Sequence, residues 1–174
     1  NGSNSGHVRI YAWNSTTSAW EQQGADIEGE AAYDESGTSV SLSSDGTTVA
    51  IGAPYNTGDN GSDSGHVRIY AWNSATSAWE QQGADIDGEA AYDLSGFVSL
   101  SSDGTTFAIG VSANDGANGS ASGHVRIYAW NGATSAWEQQ GADIDGEAAN
   151  DNSGYSVSLS SDGTTFAIGV SAND

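Results

Sequence analysis

The sequence predicts an all-β chain made of three repeats of a four-stranded antiparallel sheet. Three observations carry this. The segment Gly-His-Val-Arg-Ile-Tyr-Ala-Trp-Asn begins at Gly6, Gly65 and Gly123, at steps of 59 and 58 residues. Apolar residues recur with period two inside each unit, and no stretch has helical periodicity over a useful length. Clusters of Gly, Asn, Asp, Ser and Thr separate these runs, as turns require. Four short strands in about 58 residues is the size of one propeller blade.

The elements follow in order. His7-Val8-Arg9-Ile10-Tyr11-Ala12 alternates, with Val8, Ile10 and Ala12 on one face. The turn Asn14-Ser15-Thr16-Thr17 leads into Trp20-Glu21-Gln22-Gln23. Ser39-Val40-Ser41-Leu42-Ser43 alternates strictly, with small Ser on its second face. Ser44-Asp45-Gly46-Thr47 is a hairpin turn, since Asp-Gly tolerates positive φ. Thr48-Val49-Ala50-Ile51-Gly52-Ala53 is apolar on both faces, as a strand between stacked sheets should be.

The repeats are close to identical. Thr-Ser-Ala-Trp-Glu-Gln-Gln-Gly-Ala-Asp-Ile begins unchanged at Thr17, Thr76 and Thr134. Gly96-Phe97-Val98 is one residue shorter than Gly37-Thr38-Ser39-Val40 and Gly154-Tyr155-Ser156-Val157. A deletion inside a strand would turn its apolar set to the other face, so the loss is expected at the strand entrance. These boundaries divide the chain into a half-blade of outer strands (1–36), blades at 37–95 and 96–153, and a half-blade of inner strands (154–174). Closed propellers have 4–8 blades. The expectation is therefore an incomplete ring, two chains completing one ring, or a segment of a longer array.

Composition narrows the function. Three basic residues, Arg9, Arg68 and Arg126, face 23 acids, for a formal charge of -20. Such a surface repels phosphate backbones and anionic membranes, which excludes nucleic acid as a partner class. No apolar run approaches the roughly 20 residues that span a bilayer, so membrane insertion is not expected. There is no Cys, hence no disulfide framework. With no Cys or Lys, no Gly-x-Ser-x-Gly element, and the same Ser, His and Asp in every copy, no asymmetric catalytic pocket is expected.

The segments Ser36-Gly37-Thr38-Ser39-Val40, Asp45-Gly46, Val49-Ala50-Ile51-Gly52-Ala53-Pro54 and Gly65-His66-Val67-Arg68-Ile69-Tyr70 resemble the FG-GAP repeat family. These are the β-propeller blades of integrin α-subunits and many secreted microbial proteins. The resemblance implies a propeller-type fold and an extracellular or cell-surface location. The chain departs from the family pattern where Ser36, Ser95 and Ser153 replace the Phe before the Gly. Ser41 and Ser43 also replace the ligand residues of the integrin-type calcium loop. Calcium binding is therefore not carried over to that turn.

Another acidic stretch is a better candidate for a cation. Asp26, Glu28, Glu30 and Asp34 recur as Asp85, Asp87, Glu89 and Asp93, and as Asp143, Asp145, Glu147 and Asp151. Carboxylates at alternate positions around a Gly can surround Ca²⁺ with oxygen ligands. The same spacing equally describes the wet face of a strand tail with an inward Ile. No cofactor is required by the sequence. His7, His66 and His124 share a face with the Arg residues, Tyr11 and Trp13 and their copies. That face either binds a ligand by stacking or packs on a neighbouring blade with each Arg paired to an acid. Trp20, Trp79 and Trp137 are expected where blades meet. Sequons at Asn1, Asn14, Asn60 and Asn118 fall in predicted loops, as glycosylation would need. The resulting expectation is a non-catalytic extracellular scaffold, structural or adhesive. Its partners would be copies of itself, further repeats of a parent chain, a glycan or an extracellular protein. The alternative is a lectin-like propeller with one ligand site per repeat.

Overall fold

Strands that are apolar on both faces need cover on both faces, and stacked blades supply it. The computed structural model describes residues 2–172. The first repeat contributes β1 (His7–Val8), β2 (Tyr11–Asn14), β3 (Ala19–Gln22) and β4 (Ile27–Glu28). One complete blade contains β5 (Ser39–Leu42), β6 (Thr48–Ala53), β7 (His66–Asn73), β8 (Ala78–Gln81) and β9 (Ile86–Asp87). The next contains β10 (Phe97–Leu100), β11 (Thr106–Val111), β12 (His124–Asn131), β13 (Ala136–Gln139) and β14 (Ile144–Asp145). A final hairpin joins β15 (Ser156–Leu159) to β16 (Phe166–Gly169). Among the described residues there is no helix, and every strand pair is antiparallel.

The complete blades run β5-β6-β7-β8 and β10-β11-β12-β13, with β9 and β14 added to β7 and β12. A four-stranded sheet was expected, and the short fifth strand has a simple origin. β7 spans 8 residues, and β8 pairs only with Tyr70 to Asn73, so His66 and Val67 are free to pair with Asp87 and Ile86. The first repeat differs again. The run His7 to Ala12 was expected as one strand but divides into β1 and β2. β7 is kept continuous by its ladder to β6, and no such strand lies beside β1 and β2 among the described residues.

The one-residue deletion leaves the register intact. Ser39, Phe97 and Ser156 each lie opposite the equivalent glycine, Gly52, Gly110 and Gly169. The lost residue is the one after the entrance glycine, as the period-two argument requires. Blades approach closely at this point. A Cβ on Gly52 would lie 1.7 Å from the carbonyl oxygen of Gly96, and one on Gly110 would lie 1.9 Å from that of Gly154. Only glycine permits that contact.

The apolar cores lie between blades, not within them. Val8, Ile10 and Ile27 pack on Val49 and Ile51. Ala50, Val67, Ile69 and Ile86 pack on Val98, Leu100, Phe107, Ile109 and Val111. Ala108, Val125 and Ile127 meet Val157, Phe166 and Ile168. The small serines of the innermost strands have a matching role. Ser39 Oγ accepts from Val98 N–H at 3.0 Å, Ser41 Oγ from Leu100 N–H at 2.9 Å, and Ser99 Oγ from Leu159 N–H at 2.9 Å. Each serine satisfies an edge donor of the next blade, which would otherwise be left unpaired.

Candidate functional site

Period-two alternation puts His66, Arg68 and Tyr70 on one face of β7, and His124, Arg126 and Tyr128 on one face of β12. That face packs against the preceding repeat, so the packing alternative holds and a free ligand surface does not form there. Arg68 Nη2 donates to the Glu28 carbonyl at 2.8 Å, and its Nη1 lies 3.4 Å from Glu30 Oε1. Arg126 repeats the arrangement, donating to the Asp87 carbonyl at 2.9 Å with Glu89 Oε1 3.7 Å away. Each guanidinium also lies over the tyrosine two residues on, 5.7 Å from the ring centroid of Tyr70 and 5.8 Å from that of Tyr128. Burial forces the pairing, because both Arg side chains are almost fully covered.

Beside each arginine lies a buried histidine. His66 is 2% exposed and His124 is 1% exposed. His66 Nδ1 lies 3.9 Å from Glu30 Oε2 and 3.8 Å from Asp85 Oδ2, too far for a hydrogen bond to either. Desolvation pushes the His66 pKa below the ordinary 6.5, with Asp85 pulling the other way. Desolvation and then Arg126 lower that of His124. Both imidazoles are therefore neutral at pH 7. The His124 Nε2 and the Nε atoms of Arg68 and Arg126 are buried without a hydrogen-bond partner. Among the described residues, Glu30–His66–Asp85 and Glu89–His124–Asp143 are the two groups whose ligand-type atoms all lie within 4.8 Å of one another.

The expected cation sets are thus regrouped. The sequence placed Asp26, Glu28, Glu30 and Asp34 together, with Asp85, Asp87, Glu89 and Asp93, and Asp143, Asp145, Glu147 and Asp151, as their copies. In the fold, a glutamate of one repeat meets a histidine and an aspartate of the next. The last aspartate of each set turns inward and holds a loop. Asp34 Oδ2 accepts from Ala31 N–H at 2.8 Å and from Asn56 Nδ2 at 3.2 Å, and Asp93 accepts the equivalent bonds from Ala90 and Asn114. Asp151 likewise accepts from Glu147 and Ala148 N–H. Asp26, Asp85 and Asp143 each take a 2.6 Å bond from a glutamine, namely Gln22, Gln81 and Gln139. Desolvation raises the Asp87 pKa. Contacts across the repeat boundary could not be read from spacing within one repeat. The signal that existed was the charge count, since each lone arginine needed an acid.

The tryptophans divide by position. Trp79 Nε1 donates to the Gln23 carbonyl and Trp137 Nε1 to the Gln82 carbonyl, each at 2.8 Å across a blade boundary. Trp20, expected at a blade contact, is 65% exposed, because no preceding repeat stands beside it among the described residues. A groove of about 530 Å³ between Trp13, Glu21, Gln22 and Trp72 runs along the outer edge. Of the sequons, Asn1 lies outside the described residues. Asn60 Nδ2 and Asn118 Nδ2 donate to the carbonyls of Gly88 and Gly146 at 2.7 Å, and Asn14 Nδ2 donates to Glu21. In the hairpin turn, Asp45 Oδ1 accepts from Ser43 Oγ and from Thr47 N–H, so its carboxylate is used within the turn.

Comparison with known proteins supports the architecture. Hydrazine synthase from Kuenenia stuttgartiensis is similar in fold over 93% of this chain, at 14% identity and a TM-score of 0.53. TolB from Acinetobacter baumannii is similar over 92%, at 16% identity and a TM-score of 0.42. The first is a propeller protein, and the chain spans 43% of its length and 31% of that of TolB. No curated protein matches the sequence. The FG-GAP repeat family matches residues 28–70, which take in β5, β6 and the first half of β7. The chain is thus a propeller-type stack of blades in which residues 28–70 match the FG-GAP repeat.

Proposed function

We propose that this chain is a non-catalytic scaffold of the extracellular or cell-surface kind, whose end faces stack on further copies of itself or on further repeats of a parent chain. One observation carries the reading. The surfaces that meet between repeats also stand open at both ends of the described residues. Trp20 is 65% exposed and Tyr11 43% exposed, while their copies Trp79 and Tyr70 pack against the preceding repeat. Val40 and Leu42 are half exposed, while the equivalent Val98 and Leu100 are buried. At the other end, Ala167 and Ser158 are exposed, whereas the equivalent Ala50 and Ala108 are fully buried and Ser99 bonds to the following hairpin. Charge is complementary too: Arg9 is exposed where Arg68 pairs with Glu30, and Glu147 is exposed where Glu89 pairs with Arg126. A head-to-tail contact of this kind is heterologous, so it closes into a ring or propagates.

The extracellular reading draws on the FG-GAP match at residues 28–70 and the loop sequons. No helix among the described residues is long and apolar enough to cross a membrane. Light scattering across a micromolar concentration series should show dimers or larger assemblies, and Trp20→Ala should shift them toward monomer without altering the fold. A monodisperse monomer throughout would overturn the stacking proposal. The Trp13–Trp72 groove supports a second reading, a glycan-binding blade edge, since indole faces stack on sugars. Reproducible hits on a glycan array, lost in Trp72→Ala, would favour it.

A further inference from the structure

We propose that each boundary between neighbouring repeats holds a divalent transition-metal site of the zinc class. One set is Glu30, His66 and Asp85, and the other is Glu89, His124 and Asp143. This goes beyond the stacking proposal and does not depend on it, because both sets form within a single chain.

The geometry of the Glu30–His66–Asp85 set is near that of a metal-bound one, and the ligand atoms of the second set lie within 4.8 Å of one another. A tetrahedral ion with bonds of about 2.0–2.2 Å separates its ligand atoms by roughly 3.4 Å. The His66 Nδ1 separations of 3.9 and 3.8 Å need to close by only a few tenths of an ångström. The His66 imidazole is buried and bonded to neither carboxylate, and its Nδ1 is nearly equidistant from the two.

Neighbouring groups fix the carboxylates as a ligand set requires. Arg68 Nη1 takes Glu30 Oε1, leaving Oε2 toward the histidine. Gln81 Nε2 donates to Asp85 Oδ1 at 2.6 Å, leaving Oδ2 toward the same nitrogen. Gln139 holds Asp143 in the same way. Such supporting hydrogen bonds orient ligands in metal sites and raise affinity. Glu30 and Glu89 are 47% and 48% exposed, so a fourth position faces water. One imidazole with two carboxylates suits zinc-class ions, whereas Ca²⁺ takes 6–8 oxygens. The first repeat has only part of the set. His7 Nε2 lies 3.9 Å from Asp26 Oδ2, and no glutamate completes the group among the described residues. Two sites are therefore expected among the described residues.

Calorimetric titration of the whole chain with Zn²⁺, in a buffer that does not chelate, should give two equivalents per chain. Excess Ca²⁺ should not displace them, and the melting temperature should rise with Zn²⁺ by linkage. Glu30→Gln, at a partly exposed position, should remove one equivalent while leaving the metal-free circular dichroism spectrum intact. Co²⁺ should give a visible ligand-field spectrum that halves in Glu30→Gln and disappears in Glu30→Gln/Glu89→Gln. Absence of saturable binding would overturn the proposal. So would a stoichiometry unchanged in the double variant, which would mean non-specific binding to the acidic surface. Displacement by Ca²⁺ at equal concentration would overturn the zinc-class assignment.

Discussion

Trp79 and Trp20 occupy the same place in the repeat and differ only in what stands beside them. Trp79 is tied across the boundary to Gln23 and packs on the cluster of Val8, Ile10, Ile27, Val49 and Ile51. Trp79→Ala should cost about 3 kcal/mol in chemical unfolding, the low end for a packed aromatic because the ring is only half buried. Trp20→Ala should stay within roughly 0.5 kcal/mol when the chain is monomeric. Equal losses at the two positions would show that Trp79 does not hold the boundary. Asp93 gives a second test at this scale. Its buried carboxylate caps the N–H groups of Glu89 and Ala90, between Tyr92 and Leu94 at φ +69° and +55°. Asp93→Ala orphans those donors and should cost about 1–3 kcal/mol. The carboxylates of this stretch and their spacing were legible in the sequence, but not which way each one faces. Asp93 caps a loop and Glu89 meets His124, and spacing alone does not separate those outcomes.

Hairpins and blade contacts show the same division one level up. The Asp-Gly turns were plain from composition, and their hydrogen bonds give them a pH signature. Bonds from Ser43, Ser101 and Ser160, reinforced by Thr47, Thr105 and Thr164, lower the pKa of Asp45, Asp103 and Asp162 below the ordinary 3.8, that of Asp162 to about 2. A carboxylate with a lowered folded pKa contributes stability above its unfolded pKa and loses it as pH falls through the folded one. The turns should therefore weaken from about pH 3.8 toward pH 2. In melting curves over that range, the triple Asp→Asn variant should show a flatter decline than the natural sequence, and parallel curves would rule this out. Where two blades touch, glycine decides. Gly52→Ala drives a Cβ into the Gly96 carbonyl and should abolish folding or lower the melting temperature sharply. Gly132→Ala meets nothing closer than 3.9 Å and should be near neutral.

For the whole molecule, stability should be graded along the stack, because each blade contacts only its neighbours. β7 and β11 are buried between repeats, whereas β15 and β16 are covered on fewer sides. Hydrogen exchange should find the amides of Val67, Ile69 and Ile109 most protected and those of the final hairpin least. Uniform protection would mean that the chain unfolds as one unit.

The sequence by itself determined the all-β class, the repeat length, the hairpin turns, the inward faces and the position of the deletion. Each of these is a local property, set by period-two alternation, by residues suited to turns and by direct self-comparison. Tertiary structure alone decided that the cores lie between repeats and that β7 recruits a fifth strand. It also decided that Ser39 and Ser41 serve the next blade and that Glu30 of one repeat meets His66 and Asp85 of another. Those outcomes depend on how one blade sits on the next. That placement comes from close backbone approach at Gly52 and Gly96 and from the burial of Arg68, which must find an acid wherever the neighbouring blade provides one.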